Sequence, residues 1–122
     1  MIPVRESLVI SNNPAVWNLF PGCKRLTGSP LEIMREARDR VHQGWQLLGH
    51  PLMGSIRLIR NPYRSVVLGL DGRGIDGQAI LQVEEAYWRL TQTVFDTSTA
   101  SLSDYQLIDL ELLKSLHLPD SG

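Results

Sequence analysis

The sequence predicts an α/β fold, a small parallel or mixed sheet of about three strands with helices packed on it. Three observations carry that prediction. Ser7-Leu8-Val9-Ile10 and Ser65-Val66-Val67-Leu68-Gly69-Leu70 are short apolar runs bounded by turn residues, the length and setting of buried strands. Two longer segments, opening near Ser29 and Gln78, repeat their apolar residues at helical spacing. The two kinds of segment alternate along the chain, as they do where helices cross over a parallel or mixed sheet. At 122 residues the chain has the size of one domain, 1–122, able to bury a core without disulfides or a metal.

The elements follow in order. After the first strand, Ser11-Asn12-Asn13-Pro14 is a turn whose proline suits the first turn of a short helix through Val16 and Trp17. Phe20-Pro21-Gly22 closes that helix, and Cys23 to Leu26 is expected to form a second, short strand. Ser29-Pro30-Leu31-Glu32 is a capping box with proline at the first helical position. Leu31, Met34, Ala37, Val41, Trp45 and Leu48 then mark one helical face, so this helix is expected to last to about residue 48. Gly44 is its weak point and Pro51 its stop. Arg57-Leu58-Ile59 is expected to be another short strand, before the central one. A glycine-rich turn over residues 71–77 opens a third helix, expected over about 78–95. Ala79, Val83, Ala86, Leu90 and Val94 should meet the sheet, while Leu81, Trp88 and Phe95 recur on the other side and need a second cover. A polar linker follows. Ser103-Asp104-Tyr105-Gln106 reads as a second capping box, opening a C-terminal helix of about 103–117 with Tyr105, Ile108, Leu112 and Leu116 on one face.

Composition is ordinary for a globular protein, with 43% hydrophobic and 20% charged residues. The first residues lack a basic stretch followed by an apolar one, and no apolar run is long enough to span a bilayer. A cytoplasmic protein without membrane contact is therefore expected. The single cysteine, Cys23, excludes an internal disulfide. The net charge of −1 hides a split. Residues 24–73 hold nine basic and four acidic side chains, whereas residues 74–122 hold two basic and eight acidic ones. Nucleic acid is not the expected partner, because aromatics are not interleaved with the basic residues. A small anionic ligand fits the split, as does docking between the two halves within one chain or across a dimer.

Several motifs could carry chemistry. Gly72-Arg73-Gly74-Ile75-Asp76-Gly77 matches the dinucleotide fingerprint literally, but the acid that should end a following strand is missing, so no cofactor is expected. Cys23, His42, His50 and His117 lack the paired spacing of a zinc site, so no metal is expected either. Arg38 and His42 lie on the shoulder of the second helix's apolar face, with Asp39 within reach of His42 or Arg35. They read either as internal ion-pair partners or as ligand-binding groups. His50-Pro51-Leu52-Met53-Gly54-Ser55 and Asn61-Pro62-Tyr63-Arg64-Ser65 are loops that offer donors to an anion, or simply turns.

Taken as an ordered set, Asn12-Asn13-Pro14, Arg38-Asp39-Arg40-Val41-His42-Gln43-Gly44, His50-Pro51-Leu52-Met53-Gly54-Ser55 and Asn61-Pro62-Tyr63-Arg64-Ser65 resemble the GrdX family of small proteins. The likeness covers roughly residues 7–70 and none of its motifs extends past Asp71. It implies an association with the glycine, sarcosine and betaine reductase systems, within which the family has no assigned biochemical role.

The leading expectation is an accessory or regulatory domain that binds a small anionic metabolite and is not an enzyme. Asn12, Asn13, Arg38, Asp39, His42, His50, Ser55, Tyr63 and Arg64 are the expected ligand-binding residues, and no catalytic residue is assigned. Arg38, His42, His50 and Ser55 are expected to converge. Two alternatives stand beside it. One is a small enzyme with His42 or His50 as general acid/base. The other is a protein–protein adaptor, dimeric through the Leu81/Trp88/Phe95 ridge.

Overall fold

The computed structural model describes residues 6–52 and 56–116. Four strands form one mixed sheet in the order β2-β1-β4-β3: β1 (Glu6–Ser11), β2 (Lys24–Arg25), β3 (Gln46–Leu47) and β4 (Ser65–Leu70). β1 and β2 are parallel, while β4 runs antiparallel to both β1 and β3. The α/β class holds, with one strand more than the three expected.

Four α-helices cover the sheet: α1 (Pro14–Leu19), α2 (Pro30–His42), α3 (Gly77–Thr91) and α4 (Leu102–Lys114). Side chains alternate across the sheet, and the core divides accordingly. Ile10, Val66 and Leu68 face Met34, Ala37 and Val41 of α2 and Ala79, Val83, Ala86 and Leu90 of α3. Val9 and Val67 face Val16 of α1 and Leu110 and Leu113 of α4. The sheet is thus the middle of three layers, with α2 and α3 on one side and α1 and α4 on the other.

The expected second helix is cut short. α2 ends at His42 because Gly44 adopts φ +103°, a left-handed conformation that favours glycine. Trp45 N–H then donates to the Arg40 carbonyl and Gly44 N–H to that of Val41, the paired bonds of a Schellman motif. Gln46 and Leu47 are released to form β3, hidden in the sequence because their neighbours Trp45 and Leu48 continue the helical spacing. At the other end of α2, Ser29 accepts from Leu31 N–H as a cap. Glu32 does not reach back to complete the box; its carboxylate binds Arg35 instead.

Three further expectations change. Ile56–Arg60 is a 3-10 helix and not a strand, since both sides of β4 are already paired with β1 and β3. α3 stops at Thr91, where the hydroxyls of Thr91 and Thr93 take the carbonyls of Trp88 and Arg89. Phe95 therefore leaves the expected ridge and packs against the core, while Val94 is exposed. α4 begins one residue before Ser103, out of a 3-10 turn over Thr99–Ser101, so the second capping box is not made. Its buried face carries Asp109, Leu110 and Leu113 rather than the expected Ile108 and Leu112. No helix among the described residues is long and apolar enough to cross a membrane.

Candidate functional site

The antiparallel register sets Ser11, the last residue of β1, opposite Ser65, the first of β4. Both belong to the strand positions that face α1 and α4, and α4 lays Asp109 over them. Ser65 Oγ lies 2.7 Å from Asp109 Oδ2 and 2.8 Å from Ser11 Oγ. A carboxylate only accepts, so the one Ser65 proton goes to Asp109 and Ser65 accepts from Ser11. Asn13 Nδ2 donates to the same Asp109 oxygen at 3.0 Å and to the Gln106 carbonyl at 2.9 Å, and Asn13 N–H donates to Ser11 Oγ at 3.0 Å. Apart from the Asn13 bond to the Gln106 carbonyl, the donors in this buried chain lead toward Asp109.

The loops beyond are tied by two more asparagines. Asn12 Nδ2 donates to the carbonyls of Gly28 and Pro62, both at 2.9 Å, and its Oδ1 accepts from Arg64 N–H at 2.8 Å. Asn61 Nδ2 donates to the Tyr105 carbonyl at 3.0 Å, and its Oδ1 accepts from Tyr63 N–H at 2.8 Å. Tyr63 Oη accepts from Gln106 Nε2 at 3.0 Å, leaving its own proton free. The amides of Asn12, Asn13 and Asn61 are thus spent on the protein's own backbone and on Asp109.

Arg64 is different. It is 6% exposed, yet its Nε has no hydrogen-bond partner and its guanidinium no carboxylate within 4.0 Å among the described residues. The single bond its head group makes among the described residues is a long one, 3.4 Å, from Nη2 to the Leu58 carbonyl. Burial pulls its pKa down, and the field of Asp109 opposes that shift. Asp109 is its counterpart, also 6% exposed. Burial pushes its carboxyl pKa up, against the hydrogen bonds from Asn13 and Ser65 and the charge of Arg64.

The other expected residues lie elsewhere. α2 starts at this end of the sheet, so Arg38 and His42 sit roughly 12 and 18 Å down its axis from Pro30. There Arg38 stacks on the Tyr87 ring at 4.9 Å and approaches Glu84 at 3.9 Å, with His42 Nε2 at 4.0 Å from the same carboxylate. Asp39 is exposed and makes neither ion pair nor hydrogen bond among the described residues. His50 follows β3, which runs toward the Ser65 end of β4; it is exposed, and its Nδ1 accepts from Leu52 N–H. Ser55 lies outside the described residues. The structure brings together Asn12, Asn13, Tyr63 and Arg64, sends His50 toward the same end, and leaves Arg38, Asp39 and His42 out. Part of the charge split is met within the chain, since Glu84 and Asp109 of the acidic third face Arg38, His42 and Arg64 of the basic middle.

Ser11, Ser65, Gln106 and Asp109 were not singled out from the sequence. Asp109 had a signal: it lies four residues after Tyr105 and four before Leu113, on a face that must meet the core. The thiol of Cys23 is pushed up by burial, away from the reactive thiolate. The turn over Gly72–Gly77 is held by Asp71, which accepts from Arg73 N–H, and by Asp76, which caps α3. No group of His, Cys, Asp and Glu among the described residues could hold a metal.

A family model described as GrdX-like protein matches residues 8–117 of the chain, well past the motifs that end near residue 70. No curated protein and no solved structure matches it.

Proposed function

This chain belongs to the GrdX-like protein family, and from the end of the sheet where Arg64 is buried we propose that it is an accessory or regulatory domain that binds a small anionic metabolite without transforming it. The observation that carries the proposal is Arg64 itself. A guanidinium taken out of water and left with an unfilled Nε calls for an oxyanion, which its planar donor fork binds in two places at once. The setting agrees: α1 and α2 leave this end on opposite faces of the sheet, and ligands of open α/β sheets gather outside such strand ends. That agreement is an analogy of fold. Tyr63, with a free hydroxyl proton, and the exposed His50 supply the remaining donors. The family's link to the amino-acid reductase systems directs the choice to a metabolite with a carboxylate or a phosphoryl group.

Calorimetric titration with acetate and with inorganic phosphate separates these two ligand classes. Binding of one of them, weakened about 10- to 100-fold by Arg64→Gln, is the expected result. Saturable binding that Arg64→Gln leaves unchanged, in a variant that keeps its melting temperature, removes Arg64 from the proposal.

One observation favours a second reading, self-association through α3. Leu81 and Trp88 are 71% and 64% exposed two turns apart, and α4, which competes for that surface in the sequence, packs on the opposite layer. The partner in this reading is a second copy of the chain.

A further inference from the structure

We propose that an oxyanion held by Arg64 is taken up together with a proton on Asp109, so that ligand occupancy and the ionisation of α4's buried acid are one coupled event. This rests on the anion-binding reading above and adds a regulatory property to that site.

The geometry of the cluster supplies the reason. Ser65 holds Asp109 at 2.7 Å, and Arg64, buried at the same strand end, acts on Asp109 by its charge without touching it. Among the described residues Asp109 faces a single charged group. α1 and β4 carry no ionisable side chain, and β1 carries only Glu6, exposed at its far end. On α4 itself Asp104, Glu111 and Lys114 are exposed, the last two paired with each other at 3.5 Å, and the hydroxyls of Tyr105 and of Tyr63 on the adjoining loop are bonded to Asp96 and Gln106. Among the described residues Arg64 is therefore the one charge available to stabilise the Asp109 carboxylate. An incoming oxyanion neutralises Arg64 and places a second negative charge nearby. The carboxylate then keeps its burial and loses its compensating field, and a proton from solvent is the balancing species. No bond other than that O–H forms.

The sign follows from linkage. Asp109 binds its proton more tightly in the occupied state than in the empty one. Between its two pKa values, anion affinity rises as pH falls, approaching about tenfold per pH unit for one proton. Below and above that window affinity is flat.

The probe is sulfate, which does not titrate in the range used, added to the full chain in calorimetry with two buffers of different ionisation heat. The expected result is net proton uptake with sulfate, and an infrared carbonyl band of a protonated carboxyl that grows with occupancy. In Asp109→Asn uptake is lost and affinity becomes independent of pH, at a value at least that of the wild type. His50→Gln removes one donor and should weaken sulfate binding, while keeping the proton uptake per sulfate bound. Saturable sulfate binding with no proton uptake and no carboxyl band overturns the coupling and leaves the anion site standing. Sulfate binding in His50→Gln without uptake per sulfate bound moves the proton to the histidine, with the same consequence. Absence of any saturable sulfate binding removes the site and the coupling together. The infrared band on the wild-type chain decides the matter even where Asp109→Asn does not fold.

Discussion

Two clusters in this domain pair arginine with acid, and their surroundings make them different objects. Between α2 and α3, Arg38 and His42 share Glu84 at 3.9 and 4.0 Å, on a surface where the glutamate is about half exposed. Water and salt screen that contact, and it is free to come and go. At the end of β1 and β4, Arg64 and Asp109 are both buried and not in contact, with Ser11, Ser65 and Asn13 fixing the acid. Charge left apart in a buried place is costly, and each group is held there by neighbours that cannot follow it into solvent. The first cluster looks more like a site in the sequence, with two cations on one helix shoulder. The second is the one that carries the proposed site.

The comparison is broken most directly by removing the acid from each. Asp109→Ala leaves the Ser65 hydroxyl and the Arg64 charge without their partner and is expected to destabilise the domain by about 3 kcal/mol. Glu84→Ala should stay within about 0.5 kcal/mol, since an exposed pair contributes little. Urea unfolding of both variants decides it, and equal losses would show that the two clusters are energetically alike. Ser65→Ala removes a hydroxyl that links Ser11 to Asp109, for an expected loss of about 1–2 kcal/mol by the same measurement.

The same contrast predicts a pH dependence. Burial raises the folded-state pKa of Asp109 above its unfolded value, so the protonated form is favoured by folding. Its contribution to stability is full below the unfolded pKa and is lost as pH rises through the folded one. In the absence of ligand, melting temperature should fall with rising pH across that window, and Asp109→Asn should flatten the profile there. A wild-type profile that rises through the window would mean that the hydrogen bonds from Asn13 and Ser65 and the field of Arg64 outweigh burial.

The smallest effect on stability belongs to the exposed side of α3. Trp88→Glu is expected to change unfolding free energy by no more than about 0.5 kcal/mol, because the side chain already faces water. It should nevertheless convert a dimer to a monomer in light scattering at low micromolar concentration. A wild-type chain that is already monomeric ends the self-association reading, since Phe95, the third residue of the expected ridge, belongs to the core.

What could be read in advance was local. β1 and β4 announce themselves as apolar runs, Pro14, Ser29 and the glycine-rich turn over residues 71–77 mark where helices begin, and the family was legible from motifs before residue 70. Where one local signal overlaid another, the reading failed: the apolar spacing of α2 ran on through Gly44 into β3, and that of α3 through Thr91 into Phe95.

The candidate site was legible in half. Asn12, Asn13, Tyr63 and Arg64 were marked by their loops, whereas Ser11 read as a turn residue, Ser65 as the start of a strand, and Asp109 was not singled out. Their meaning rests on bonds that span 54, 44 and 96 residues, Ser65 to Ser11, Ser65 to Asp109 and Asn13 to Asp109. The sequence by itself determined β1, β2 and β4, the helix starts, the charge split and the family, because periodicity, caps and motifs act within a few residues along the chain. Which cation would be buried without a partner was decided only by the tertiary structure. A charge's energy depends on what surrounds it in space, and antiparallel pairing of β1 with β4 and the docking of α4 set those surroundings.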